Sequence, residues 1–189
     1  MRIGIYCGSF APVHKGHIKI VREILKAKFV DKVLIVPTKS YWDKKISISL
    51  KHRINMLKLY ETKKIEIETK LNNCDSTHEL FTKFQKKHPE DTLYLIVGGD
   101  NIVNFDKWIN YEEMLKYPFI IIKRDDYNKT FINKKMKEYH KRNYTILDIP
   151  TIDISSTYIR ENIYNKKLLK DKIDNKVYEY IVKELECKL

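Results

Sequence analysis

Short apolar runs alternate along this chain with stretches whose apolar residues recur every three or four positions. Ile3, Gly4, Ile5, Tyr6 and Cys7 form a run of strand length, and Ile18, Ile20, Val21, Ile24 and Leu25 then repeat at helical spacing. The run KVLIVP over 32–37 reads as a second strand stopped by Pro37. A helix is predicted over 50–60, with Ile54 and Leu57 on its inner face, and residues 65–67 alternate like a short strand. Residues 76–88 read as a helix with Leu80, Phe81 and Phe84 inward and Asp75 or Ser76 as its N-cap. TLYLIVG over 92–98, FIII over 119–122 and YTIL over 144–147 are further strands, and a last helix covers 177–185. Residues 123–141 are the most polar stretch and are expected to be a surface excursion containing a helix.

Strands that alternate with helices imply a parallel sheet wrapped on both faces. The predicted fold is therefore α/β, a Rossmann-like doubly wound parallel sheet with helices on both faces and C-terminal helices. Neither repeats nor a linker break the chain, so residues 1–189 are expected to form one domain. In such sheets ligands bind beyond the carboxyl ends of the strands.

Composition adjusts this picture only slightly. The net charge of +12 raises nucleic acid or an anionic membrane as partners. Yet six of the 37 basic residues are arginine, and the lysines are scattered, often beside acids, as on a solvated surface. No apolar run approaches bilayer length and the chain begins directly with a strand, so neither a membrane nor a targeting segment is expected. Cys7, Cys74 and Cys187 lie far apart with no CxxC pair, which suits a reducing cytoplasm and indicates no metal site.

The most informative stretch is residues 8–17, GSFAPVHKGH, lying between the first strand and the first helix. Backbone N–H groups, a helix N-terminus and the imidazoles of His14 and His17 gather there around one small space, which suits a phosphate. Gly8 and Ser9 carry no bulky side chain to hold a ligand off, Pro12 stiffens the loop, and Gly16 leaves room between the histidines. Two further strings follow strands or open helices. Gly98, Gly99 and Asp100 join a strand end to a carboxylate suited to a ribose hydroxyl. Ser155, Ser156, Thr157 and Arg160 put hydroxyls and a guanidinium on one side of a helix start, an arrangement that suits phosphates.

GSFAPVHKGH resembles the HxGH element of the nucleotidyltransferase superfamily, and within it the nicotinate-nucleotide adenylyltransferase family. That family places Asp where this chain has Ala11, a departure that bears on how the loop is organised. GGDNIVNFDKWINYEEML, from Gly98 on, resembles the same family's IG-x-D segment, whose tryptophan corresponds to Trp108 and packs on a pyridine ring. The string ISSTYIR over 154–160 resembles its "IS[SA]TxIR" element. The weaker matches are Arg53, in an "R-x-x-ML" helix that holds the phosphate-side loop, and Lys44 or Lys45 as a basic residue after the strand-ending proline. Ser76 or Thr77 would supply a hydroxyl for the pyridine nucleotide, and Arg124 follows a strand as the family's arginine does.

The resemblance implies transfer of AMP from ATP to nicotinate mononucleotide, or its nicotinamide form, with release of pyrophosphate. His14, His17 and Arg160 would be catalytic. Gly8, Ser9, Phe10, Lys44, Lys45, Ser155, Ser156 and Thr157 would bind ATP. Gly98, Gly99 and Asp100 would bind ribose, and Ser76, Thr77, Trp108 and Arg124 the pyridine nucleotide. Mg²⁺ would arrive with the triphosphate, with no metal cage in the protein. Oligomeric state stays open, a homodimer included. Two rivals share the chemistry: a pantetheine-phosphate adenylyltransferase and a cytidylyltransferase, although the RTxGxSTT of the latter is absent. From another class, a non-catalytic basic nucleic-acid-binding protein would show binding that weakens steeply with salt.

Overall fold

The structure, a computed structural model, describes residues 1–38, 48–71, 73–123, 126–149 and 154–185. Six strands, β1 (Arg2–Gly8), β2 (Lys32–Pro37), β3 (Ile65–Ile67), β4 (Thr92–Gly98), β5 (Phe119–Ile122) and β6 (Tyr144–Leu147), form one sheet in the order β3-β2-β1-β4-β5-β6. Every neighbouring pair is parallel. The doubly wound reading of the sequence is what the chain adopts.

Alternate strand residues feed two separate cores, as a period of two requires. Tyr6, Val33, Ile35, Ile96 and Ile120 face helices α1 (Lys15–Lys26), α2 (Leu50–Lys58), α7 (Ser156–Glu161), α8 (Lys166–Leu169) and α9 (Asn175–Leu185). Ile3, Ile5, Leu34, Leu95 and Ile121 face α3 (Thr77–Lys87), α4 (Gly99–Ile102), α5 (Tyr111–Met114) and α6 (Lys129–Glu138). The apolar stripe of α1 is Ile18, Val21 and Ile24, all fully buried, and Lys26 in its last turn complements the helix dipole.

In α2 the inner face is Arg53, Met56 and Leu57, with Ile54 only half-buried, and the helix ends at Lys58 rather than at residue 60. Leu57 faces inward as expected, and the buried Arg53 takes the core side in place of its neighbour Ile54. Ser76, not Asp75, caps α3 by accepting from Glu79 N–H at 3.1 Å. The polar stretch over 123–141 does hold α6, but it ends on a buried lysine, Lys141.

One feature of the sheet positions the site. β1 and β4 pair from Arg2↔Thr92 to Tyr6↔Ile96 and no further. Beyond that point β1 stays with β2 as far as Gly8↔Pro37, while β4 stays with β5 as far as Gly98↔Ile122. The sheet therefore splits at its carboxyl edge between its two central strands, where the connections leave in opposite directions. That is the topological switch point, where such sheets bind ligands.

Candidate active site at the split between β1 and β4

On the β1 side the chain leaves Gly8, turns through Ser9–Val13 and enters α1 with His14 as N-cap in extended conformation. Phe10 lies at φ 47°, a left-handed backbone for a residue that carries a Cβ, which costs roughly 1–2 kcal/mol. Burial of its ring offsets that cost. The ring is 1 % exposed, edge-on to Tyr6 at 5.4 Å and to His17 at 4.9 Å. A Cβ on Gly8 would come within 3.0 Å of the same ring, so what Gly8 admits here is Phe10. Gly16 likewise admits the ring of His14 and the side chain of Ile154, which a Cβ would meet at 3.0 and 3.2 Å.

The loop carbonyls are held one after another by groups from elsewhere in the chain. Gly8 O accepts from Thr38 N–H at 2.9 Å, and Ser9 O from Arg53 Nη1 at 2.7 Å. Ala11 O accepts from Arg160 Nη1 at 2.7 Å, and Pro12 O from Ser156 Oγ at 2.9 Å. With Ala11 in place of an aspartate, the loop is organised through its backbone by α2 and α7. Arg53 also donates to Thr38 O at 2.8 Å, and burial without a carboxylate at its hydrogen-bonding atoms lowers its pKa.

These contacts alter the expected roles of the ISSTYIR element. A hydroxyl has one proton, and that of Ser156 is engaged with Pro12 O, so it donates to the loop and not outward. Arg160 has five N–H groups, of which one Nη1–H goes to Ala11 O and one Nη2–H to Thr157 Oγ1 at 3.1 Å; the fork retains further donors. Ser155 caps α7 by accepting from Tyr158 N–H at 3.1 Å. At the start of α1, Lys15 N–H donates to Lys172 O at 3.0 Å, so this amide is already paired within the fold.

The two histidines stack at 3.6 Å between ring centroids. His14 is buried, while His17 is half-buried. His14 N–H donates to His17 Nδ1 at 3.3 Å. With Nδ1 accepting, the neutral His17 ring carries its proton on Nε2, the tautomer suited to donating to a phosphate oxygen.

On the β4 side Gly98 is the N-cap of α4, and Asp100 lies half-buried in its first turn, accepting from Asn101 Nδ2 at 3.3 Å. Trp108 follows a short 3-10 turn (Phe105–Lys107) and is half-buried, its ring tilted against Phe105 at 5.0 Å. Ser76 Oγ accepts from Glu79 N–H as the cap and keeps its own proton to donate, and Thr77 is buried in the first turn of α3. The histidine junction, α2 and α7 thus belong to one face of the sheet, and α3, α4 and Trp108 to the other, on either side of the split. Lys44, Lys45 and Arg124 lie outside the described residues.

Sequence reasoning missed the second anchor of Arg53, the engagement of Ser156 with the loop, and Lys141. Lys141 is 7 % exposed, donates to Leu115 O at 2.8 Å and Tyr117 O at 2.6 Å, and is pushed down by burial to about 8. Nothing in its basic surroundings of His140 and Arg142 distinguishes it from a surface lysine. Among the described residues no helix is long and apolar enough to cross a membrane.

The family model described as cytidylyltransferase-like matches residues 5–162. Proteins named probable nicotinate-nucleotide adenylyltransferase are similar over nearly their whole length. That of Clostridium tetani is 33% identical over 95% of both chains, and that of Carboxydothermus hydrogenoformans 34% identical over 96% of this chain and 95% of its own. Among solved structures, Plasmodium falciparum nicotinic acid mononucleotide adenylyltransferase complexed with NaAD superposes with a TM-score of 0.83. It is 24% identical, with 100% of this chain and 98% of that one covered.

Proposed function

Because this chain belongs to the nicotinate-nucleotide adenylyltransferase family, we propose that it joins the AMP moiety of ATP to nicotinate mononucleotide, giving the dinucleotide and pyrophosphate. It is a nucleotidyltransferase of NAD biosynthesis. The observation that carries the site reading is the split between β1 and β4, with a histidine-lined loop–helix junction on one face and Trp108 with the start of α3 on the other.

An oxygen of the mononucleotide 5′-phosphate attacks the α-phosphorus of ATP. One P–O bond forms, the bond from the α-phosphorus to the β-phosphate bridge breaks, and pyrophosphate leaves. The attacking oxygen is already anionic at neutral pH, so no general base and no protein nucleophile are required. Catalysis then rests on position and on donors aimed at the charge that develops.

His17 Nε2–H holds the α- and β-phosphates, with His14 fixing the His17 tautomer through its backbone N–H. The remaining donors of Arg160 reach the outer phosphates while its Nη1 keeps Ala11 in place. Asp100 takes a ribose hydroxyl, and Trp108 and Thr77 the pyridine. The donors at the junction, the His17 imidazole and the remaining N–H groups of Arg160, suit phosphate oxygens. The hard cation Mg²⁺ prefers oxygen ligands and is carried in by the triphosphate, whose charge it offsets. We place the enzyme in the cytoplasm, where its substrates are at home and thiols such as Cys7 stay reduced.

The test is pyrophosphate release with ATP and the mononucleotide, each also omitted in turn, by the wild type and His17→Asn. Asparagine keeps an acceptor for His14 N–H but lacks the distal donor. Turnover is expected to fall about 10²-fold or more, the scale of one lost transition-state donor, with the melting temperature little changed. Near wild-type turnover would remove His17 from the mechanism.

A further inference from the structure

The two segments assigned to the pyridine mononucleotide are joined by a side-chain bridge that the reaction itself does not require. His78 follows Thr77 in the first turn of α3. Asn110 stands two residues after Trp108, in left-handed conformation at φ 54° and ψ 42°, and leads into α5. Asn110 Nδ2 lies 3.1 Å from His78 Nδ1. The amide nitrogen carries only hydrogens, so Nδ1 accepts and the ring proton sits on Nε2, 3.5 Å from Thr82 Oγ1 one turn along α3. Glu113, one turn beyond Asn110, pairs with Lys116 at 2.6 Å and interacts with the imidazole only through its charge.

The other backbone contacts of Trp108 are local, its N–H to Phe105 O at 3.0 Å and its carbonyl from Tyr111 N–H at 3.1 Å. Neither relates the indole to α3. Deeper in the core, the rings of Phe81 on α3 and Tyr117 after α5 pack at 4.7 Å, so these elements stay docked whatever happens at the surface. The His78–Asn110 bond therefore fixes the outer lip, the placement of the Trp108 turn against Thr77.

We propose that His78 is a positioning residue of the mononucleotide subsite, holding through Asn110 the distance between Trp108 and the start of α3 that a pyridine ring must fit. This rests on the reading that Trp108 and Thr77 contact the pyridine. The ligand class is a pyridine nucleotide whose ring carries a small polar substituent, and ATP is indifferent to the bridge.

The experiment is a double-mutant cycle on the steady-state constants of the full-length enzyme, with nicotinate mononucleotide and ATP each varied. His78→Ala removes the acceptor. Asn110→Gly removes the donor while keeping a residue suited to the left-handed backbone. A surface hydrogen bond of ordinary strength corresponds to about a 5-fold change. Each single variant should raise the mononucleotide KM by about that factor, and the double variant should be no worse than either single one. The KM for ATP and the melting temperature should stay near wild type, and His78→Gln, which retains an acceptor, should recover most of the loss. An unchanged mononucleotide KM in both single variants, effects that multiply in the double variant, or an equal rise in the ATP KM would each overturn the proposal. Trp108→Ala, run alongside, separates the two levels. If it leaves the mononucleotide KM unchanged, the subsite reading fails and His78 with it. If it raises that KM while His78→Ala does not, only the positioning role fails.

Discussion

Arg53→Met tests how the phosphate loop is held. In the wild type one guanidinium nitrogen donates to Ser9 O at 2.7 Å and to Thr38 O at 2.8 Å, from a residue 4 % exposed. It links the end of β1 to the end of β2, the two strands that flank the histidine junction. Methionine has similar length and fills the same space without a donor. Removing the guanidinium relieves the cost of burying a charge, but it leaves both carbonyls without that donor in a largely dry site. Hydrogen bonds from a charged donor contribute about 1.5–3 kcal/mol each, and an orphaned buried acceptor costs about 1–3 kcal/mol. Allowing for the relieved desolvation, the net loss should be about 2–4 kcal/mol. For a chain of this length that lowers the melting temperature by roughly 5–15 °C. Turnover should fall as well, because Ser9 precedes the strained Phe10 backbone on which His17 packs. Thermal unfolding followed by calorimetry, with pyrophosphate release on the same preparations, provides both readings. A melting temperature within about 2 °C of wild type would refute the claim that Arg53 secures the loop.

Ser156→Ala, which removes one neutral hydrogen bond to Pro12 O, should cost about 1 kcal/mol of stability, and Arg160→Ala about 1.5–3 kcal/mol together with a higher KM for ATP. An Arg160→Ala enzyme of unchanged stability would show that the Ala11 contact is incidental. Burial lowers Lys141 from its ordinary value to about 8, so between about pH 8 and 10.5 the unfolded chain binds the proton that the folded one has lost. Wild-type stability relative to Lys141→Met should therefore rise with pH across that window, as read from paired urea titrations, and a pH-independent difference would refute it. Burial also pushes the Cys7 thiol up to about 12, so iodoacetamide at pH 8 should label it far more slowly in the folded enzyme than in urea. Rapid native labelling at Cys7 would mean that the end of β1 is open to solvent.

The sheet was legible because its strands are short apolar runs, and where a run meets Gly or Pro the limit survives folding: β4 is Thr92–Gly98 and β2 ends at Pro37, as the pattern requires. The doubly wound, parallel character followed from the same alternation, and the strand order came with the structure. The loop–helix junction with His14 and His17 was legible for a different reason, since glycine, proline and two imidazoles in ten residues have little other use. Patterns failed where a polar side chain works inside the fold. Arg53 occupies the core side of α2, where periodicity favours Ile54, because the carbonyls it serves lie in segments distant in sequence. The partners of Ser156 and Arg160 lie 144 and 149 residues away, so their attachment to the loop became visible only in three dimensions. Gly8 and Gly16 were expected to leave room for a ligand, whereas the groups that approach them in the fold are the protein's own Phe10 and His14 rings.

The most direct test of the central claim is the identity of the product formed when the enzyme must choose. The full-length protein is given ATP and CTP with Mg²⁺ in one mixture, together with nicotinate mononucleotide, nicotinamide mononucleotide and phosphopantetheine, and the products are resolved by mass. A dinucleotide of AMP and nicotinate mononucleotide should be the main product, with one pyrophosphate per dinucleotide and no CMP adduct. Adenylylated phosphopantetheine or a cytidylyl product as the main species would contradict the central claim.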